Sequence, residues 1–537
     1  MLAPDPARGG DSARRPNVLL LVTDDQGAWA LGHRGCEFVT PTLDRLAAEG
    51  TALTSFFCAS PVCSPARASI VTGRMPSAHG VHDWIAADGL ARTAHPERPH
   101  RPDFLEALPG ADTIAQMLRR AGYATGMVGK WHISSADRPA PGYDHWYAHQ
   151  LGGGPYYGAP IWRPLGRDDD AMGGAGSGAV GAGAGRAGAS HIPDTEPRYF
   201  TDAVTEESLA FLRSRPADQP FFLHVNWTAP HDPWLDGNHP ADLVGLYDGC
   251  DFPSIPNGDP HPWFIAEHFR QAIDNRRDAL AGYGAAVTGV DRSIGAMLDE
   301  LERQGVLDDT IVLFTSDNGF SCGHHGIWGK GNATWPLNLW EPSISVPFLI
   351  RWPGRIAAGR EVDTAASATG IYDTLAELTG AEPSPDALRA SGSFARWLMS
   401  DQTGAPQEDG LPGLPAGGRG PKPGGEAGSG PDAAQAHQPI VIYDEYGGAR
   451  MIRTDGWKLV ERRDGPAELY HLTEDPDEAH DLTHDPTRRA VRDDLSARLR
   501  EWFAAHETAE LSAWEAAVDG NGQSAPPVRT ADARVRP

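Results

Sequence analysis

Asn17-Val-Leu-Leu-Leu-Val22, followed at once by Thr23-Asp24-Asp25-Gln26-Gly27, is the stretch on which the fold turns. A strand with one wet face alternates apolar and polar residues, so an unbroken apolar run of this length describes a strand buried on both faces. The polar residues that end it mark the edge of a sheet. Phe221-Phe-Leu-His-Val225 and Thr310-Ile-Val-Leu-Phe-Thr315 repeat the pattern, and Val346-Pro-Phe-Leu-Ile350 is a further candidate. Between the strands lie helical signals. Thr40-Pro41 offers an N-cap and a first-turn proline to a helix through Leu43 and Leu46 that Gly50 closes. Leu280, Tyr283, Val287, Val290, Ile294, Met297 and Leu301 recur at three- and four-residue steps, the stripe of a long amphipathic helix. Strands alternating with helices predict an α/β fold with a mostly parallel, mixed sheet covered on both faces by helices.

In such sheets ligands bind beyond the carboxyl ends of the strands. The residues found there are strongly polar: Asp24 and Asp25 after the first strand, His231 and Asp232 beyond Val225, and Asp317-Asn318-Gly319 after Phe314. Asp24, Asp25, Asp317 and Asn318 bring only oxygen donors, which suit a hard cation such as Ca²⁺ or Mg²⁺ better than zinc. A second segment, Pro61-Val-Cys63-Ser64-Pro65-Ala66-Arg67 running to Gly73, places a proline where a first helical turn accepts it and a glycine at the helix end. Cys63 then sits at or just before a helix N-terminus, where partial positive charge favours anions.

The balance of the chain narrows the class. Among 537 residues, 46 Lys+Arg stand against 72 Asp+Glu, a formal charge of −26, opposite to the basic footprint of a nucleic-acid-binding protein. There is no apolar run of the ~20 residues that a membrane-crossing helix needs. The segment before Asn17 is polar and Pro-rich and lacks the apolar core of an export signal, so the expected location is cytoplasmic. Five cysteines, an odd number and few for this length, do not read as a disulfide framework. Residues 171–190 hold eight Gly and seven Ala and read as a flexible insertion, and residues 401–437 read as a Gly/Pro-rich linker. The expected organisation is a catalytic domain over 14–400 carrying that insertion, the linker, a smaller α+β subdomain over 438–516 and a disordered tail over 517–537.

The segment around Cys63 resembles the signature of the type I sulfatases, a branch of the alkaline phosphatase superfamily, in which Cys-x-Pro-x-Arg marks a cysteine oxidised to formylglycine. Gly122-Tyr-Ala-Thr125-Gly-Met-Val-Gly129-Lys130-Trp131-His132 is similar to that family's other signature and follows about sixty residues later, as the resemblance requires. The likeness continues through Asp24-Asp25, Pro230-His231-Asp232-Pro233, Thr315-Ser-Asp317-Asn318-Gly319, Lys330 and Glu341, and the segments Arg450 to Leu459 and Glu468 to Pro476 look like the family's C-terminal subdomain.

The resemblance implies an alkaline-phosphatase-like fold and an arylsulfatase-like hydrolase of a small sulfated sugar or aryl sulfate. Asp24, Asp25, Cys63 (as formylglycine), Asp317 and Asn318 would surround a Ca²⁺ or Mg²⁺ ion. Arg67 would orient the hydrated aldehyde, Lys130 and Lys330 would contact sulfate oxygens, His132 would act as base, and His231, with Lys330, would protonate the departing alcohol. A formylglycine-generating enzyme is the implied partner, with neither nucleic acid nor membrane. Two other readings stay open at this point: a phosphonate monoester or phosphodiester hydrolase that also uses Cys-x-Pro-x-Arg, and a non-catalytic metal-binding relative. Related phosphonate hydrolases carry neutral hydroxyl residues in place of Lys130 and His132 and a His in place of Asn318, so this chain has the sulfatase version at both places. Loops around Trp84, Tyr156, Tyr157 and Trp335 are candidates for shaping the alcohol pocket.

Overall fold

The structure is a computed structural model that describes residues 15–85, 108, 111–149, 151–163, 194–399, 439–444, 446–454, 456–512 and 514. The expected insertion at 171–190, the linker at 401–437 and the tail at 517–537 lie outside the described residues.

Ten strands form the main sheet: β1 (Asn17–Thr23), β2 (Thr51–Leu53), β3 (Ala124–Lys130), β4 (His145–His149), β5 (Ala159–Trp162), β6 (Asp194–Glu196), β7 (Phe221–Asn226), β8 (Thr310–Ser316), β9 (Phe348–Arg351) and β10 (Arg360–Val362). Their order is β10-β2-β9-β8-β1-β7-β3-β4-β5-β6. The centre is parallel, with β1 between β7 and β8 and β3 beside β7, while β9 runs antiparallel to both its neighbours and β5 and β6 are antiparallel at the far edge. The sheet is therefore mixed with a parallel centre, as the alternation of strands and helices predicts.

β1 lies at the centre of two cores. Val18, Leu20 and Val22 point into one apolar cluster, Leu19 and Leu21 into another, and every residue of the strand is buried. Helices cover both sides. The long helix α4 (Arg276–Arg303), together with α1 (Pro41–Glu49) and α3 (Phe200–Ser214), packs Ile294, Met297, Leu301, Leu43, Leu46, Ala203 and Val204 into the second cluster. On the opposite face lies α2 (Cys63–Thr72), whose Ile70 and Val71 enter the first cluster. Every residue of α2 is buried, which is why its sequence shows no polar stripe.

A separate antiparallel sheet follows, formed by β11 (Ile440–Asp444), β12 (Ala449–Thr454), β13 (Trp457–Arg462) and β14 (Glu468–His471). Val441, Tyr443, Ile452, Leu459 and Leu469 of this sheet pack on Leu495, Leu499 and Phe503 of the helix α5 (Arg489–His506). Ile440, Ile442, Met451 and Val460, from its other face, join the core of the main sheet. None of the helices is long and apolar enough to cross a membrane among the described residues.

Candidate active site

Register alone assembles the site. Thr23 of β1 is level with Ser316 of β8, and Val22 is level with Asn226 of β7, so the chain leaves three adjacent parallel strands at one height. Asp24 and Asp25 therefore emerge beside Asp317, and a carboxylate oxygen from each lies within 4.8 Å of the others. β3 adds Lys130 at the same edge because Gly129 pairs with Asn226. Gly129 has φ +104°, and a Cβ there would fall 1.8 Å from the Asn226 carbonyl oxygen, so this close approach requires glycine. Asp25 and His132 hold left-handed backbone conformations, φ 63° and 50°, an uncommon state for residues with side chains and one that concentrates at functional sites.

Buried charge is matched sign for sign. Arg67, from the second turn of α2, donates through Nε to Asp317 Oδ2 at 2.8 Å and through Nη1 to Asn226 Oδ1 at 3.0 Å. Lys130 pairs with Asp24 and donates to the Gly152 carbonyl, while Lys330 pairs with Asp25 and lies 2.7 Å from Cys63 Sγ. Burial opposes ionisation of Asp317, but Arg67, Lys130 and Lys330 outweigh it and hold the carboxyl well below the ordinary carboxylate range. For Asp24 burial wins: it is pushed up to about 6 despite Lys130, with Asp317 adding to the rise.

Cys63 opens α2, whose N-cap residue Val62 makes no side-chain cap, and its Sγ is 3.4 Å from Asp24 Oδ1. Burial and Asp24 push the thiol up to about 12 against the pull of Lys130 and Lys330, so plain Cys63 is a thiol and a weak nucleophile. His132 Nε2 meets the Ile85 carbonyl at 3.0 Å, an acceptor, so Nε2 carries the proton and Nδ1 is left as a lone pair, buried and without a hydrogen bond. Burial and the nearby Lys130 hold this imidazole neutral, well below its ordinary value. His231 is the opposite case. Burial disfavours its charge, but Asp232, Asp25 and Asp24 prevail and raise it to about 9.

Asp24, Asp25 and Asp317 form a buried all-oxygen set, and Asn318 adds its amide, with Nδ2 2.7 Å from Asp25 Oδ1 and Oδ1 buried without a partner. Three crowded carboxylates and an orphaned amide oxygen fit a hard cation. Cys63 and His231 also come within ligand distance of Asp24.

A cavity of about 330 Å³ opens over this cluster. Asp25, Cys63, His132, His231 and Lys330 line its floor; Val62, Trp84, Ala266, Phe269, Phe320 and Ala333 give it apolar walls, and Gly152, Gly153, Asp232, His268 and Asn332 complete it. All the site residues expected from sequence thus converge at one end of the sheet. Of the loops expected to shape the pocket, Trp84 lines it, whereas Tyr157 and Trp335 do not and Tyr156 is fully buried beneath it, its hydroxyl donating to the His231 carbonyl at 2.7 Å. Glu341 belongs to a different cluster, against Lys458 of the C-terminal sheet. Sequence reasoning missed Asn226, which the same strand-edge logic would have found, and His268 and Asn332, each in a single 3₁₀ turn, and the glycines at 152 and 153, all of which arrive without a local signal.

A family model described as Sulfatase matches residues 16–381. The chain is 30% identical over 436 residues to steryl-sulfatase of Mus musculus, a match covering 71% of this chain and 65% of that protein. A solved structure in complex with its substrate D-glucosamine-2-N,6-O-disulfate superposes with a TM-score of 0.66 at 21% identity, covering 93% of this chain and 99% of the other. The phosphonate monoester hydrolase of Agrobacterium radiobacter gives a TM-score of 0.61 at 21% identity, covering 96% and 100%. These two structures bear on the fold, and the family match over residues 16–381 settles membership: the chain belongs to the sulfatase family.

Proposed function

We propose that this protein is a sulfuric ester hydrolase of arylsulfatase type that cleaves a sulfate monoester to an alcohol and inorganic sulfate. The observation that carries the reading is the position of Cys63, at a helix N-terminus between the Asp24 carboxylate and the Lys330 ammonium, on a cavity that His132 and His231 also line. Formylglycine, made from Cys63 by a formylglycine-generating enzyme, would supply as its hydrate one hydroxyl that attacks sulfur and a second whose deprotonation re-forms the aldehyde and releases sulfate. A hard cation, Ca²⁺ first and Mg²⁺ second, held by Asp24, Asp25, Asp317, Asn318 and residue 63, would supply Lewis acidity and take over the carboxylates that now occupy the two lysines.

The chain's own groups then divide the work. Arg67 orients residue 63 while staying paired with Asp317. Lys130 and Lys330 meet sulfate oxygens as preorganised cations. His132 takes a proton at Nδ1, the atom left without a hydrogen bond, and His231 gives one to the departing alcohol. On this reading Lys130, wholly buried and paired with Asp24, would take the place of a diester's second substituent, which favours a sulfate monoester with three non-bridging oxygens.

The peptide carrying residue 63, taken from protein made in a host that modifies cysteine, tests this directly. It should be lighter than the unmodified form, oxygen having replaced sulfur with loss of two hydrogens, and the protein should release sulfate from 4-nitrophenyl sulfate. An unmodified peptide from an active protein would contradict the mechanism.

A further inference from the structure

Lys330 reaches the centre of the site from a short turn, and that turn hangs on one buried amide. Lys330, Asn332 and Ala333 all line the cavity, the last two from the 3₁₀ turn Gly331–Ala333. The Lys330 carbonyl accepts from the Ala333 N–H at 2.9 Å and from Asn338 Nδ2 at 3.0 Å. Asn338 Nδ2 also lies 3.1 Å from Thr334 Oγ1, whose own proton goes to the Pro336 carbonyl, and the Asn338 N–H donates to Gly331 O at 3.2 Å. Asn338 is wholly buried, and its Oδ1 accepts from Ser343 Oγ at 2.7 Å, which fixes the end of the amide that faces the turn. The opposite side rests on Pro61, two residues before Cys63: a Cβ at Gly331 would fall 2.4 Å from Pro61 Cγ. The turn is thus clamped between Asn338 and the segment that carries the nucleophile, yet Asn338 lines no part of the cavity.

A lysine ammonium sits on a flexible four-carbon stem, so its position is only as definite as its partners and its backbone make it. Here the partners are Asp25 and Cys63, the latter 2.7 Å away. On the function proposed above both change state, Cys63 to formylglycine and Asp25 to a cation ligand. The backbone at residue 330 is what stays fixed, and Asn338 holds it. We infer that Asn338 is a positioning residue for Lys330: its amide grips the Lys330 carbonyl and so sets the direction from which the ammonium meets the sulfate. The inference rests on the hydrolase reading and goes beyond it to a residue remote from the reacting atoms.

The test compares wild type with Asn338→Ala, the near-isosteric Asn338→Leu, and Gly331→Ala, which pushes the turn off Pro61 while leaving Asn338 in place. Each is made alone and with Lys330→Ala, and each is assayed on 4-nitrophenyl sulfate at matched formylglycine and metal content, well below its unfolding midpoint. A displacement of about 1 Å at a reacting group can cost about 10²-fold, so each single variant should lose about 10²-fold in kcat with KM changed less than about threefold. In the Lys330→Ala background the same substitutions should cost less than about threefold further, because the group they misplace is already gone. A loss under about threefold in the folded Asn338 variants, or a loss that multiplies with that of Lys330→Ala, would overturn the positioning role and leave the hydrolase reading intact. Should neither Asn338 variant fold, Gly331→Ala decides by the same two criteria. A wild type that releases no sulfate would overturn the hydrolase reading and the inference with it.

Discussion

Two regions of this molecule bury opposite charges, and they do so to different ends. At the carboxyl edge of the main sheet, Asp24, Asp25 and Asp317 are matched by Lys130, Lys330 and Arg67 around a cavity. Beneath the C-terminal sheet, Lys458 is shared between Glu478 at 2.6 Å and Glu341 at 3.2 Å, and Arg462 is paired with Glu468 and donates to the Leu337 carbonyl. The second cluster closes on itself: each charge ends on another or on backbone from the neighbouring loop, and it lines no part of the active-site cavity. The first cluster leaves a free lone pair on His132, an orphaned oxygen on Asn318 and a thiol against an ammonium, and His132, Cys63 and Lys330 line a space a ligand can enter. Buried ion pairs alone are weak evidence of either stability or function. What distinguishes a site from a staple is whether its groups have partners they can exchange.

Substitutions at the two clusters should therefore fail differently. The largest effect is expected at Cys63: Cys63→Ala should abolish sulfate release with little change in unfolding midpoint, and Cys63→Ser should do the same in a host that modifies only cysteine. Near-normal release by Cys63→Ala would place the nucleophile elsewhere. Asp317→Ala comes next, with activity down by at least about 10²–10³-fold, because a cation ligand and the partner of Arg67 are lost together. Added metal should restore it only in part, and full metal occupancy with unchanged turnover would remove Asp317 from the site. Lys130→Ala should narrow the preference for an aryl sulfate over a matched phosphodiester by about 2–4 kcal/mol, as expected for one preorganised contact, and an unchanged ratio would deny Lys130 its sulfate oxygen.

The smallest effect on turnover is expected in the closed cluster. Burial pushes Glu478 up to about 7 from its ordinary 4.5, with Glu341 adding to the rise and Lys458 opposing it. The folded chain thus keeps a proton that the unfolded chain releases, so wild-type stability falls as pH climbs from about 4.5 through about 7. Glu478→Gln cannot lose that proton. It should gain stability relative to wild type across the same window, on the order of 1 kcal/mol, with kcat changed less than about twofold. Unfolding curves of the two proteins that stay parallel from pH 4.5 to 7.5 would show that the cluster holds no such proton.

The centre of the fold was readable in the sequence because burial on both faces leaves an unmistakable pattern: β1, β7, β8 and α4 lie where their apolar runs place them. The strand expected from Val346 begins instead at Phe348, after Pro347, which has no N–H for a ladder, and its antiparallel direction leaves no trace in an apolar run. Site residues at strand ends were legible for the same reason as the strands. Pocket residues were not. Trp84 comes from a loop, and His268 and Asn332 from single 3₁₀ turns, whose approach to the cavity is set by tertiary packing, and Gly153 is explained only by the ring of His231 beside it.

On the function proposed above, this cluster of cations and carboxylates is arranged for a sulfate monoester. It is tested most directly by kcat/KM for 4-nitrophenyl sulfate and for methyl 4-nitrophenyl phosphate, measured on one preparation whose residue-63 peptide has been shown by mass to carry the aldehyde. The sulfate should give the higher value. A higher value for the diester on that same preparation would contradict it.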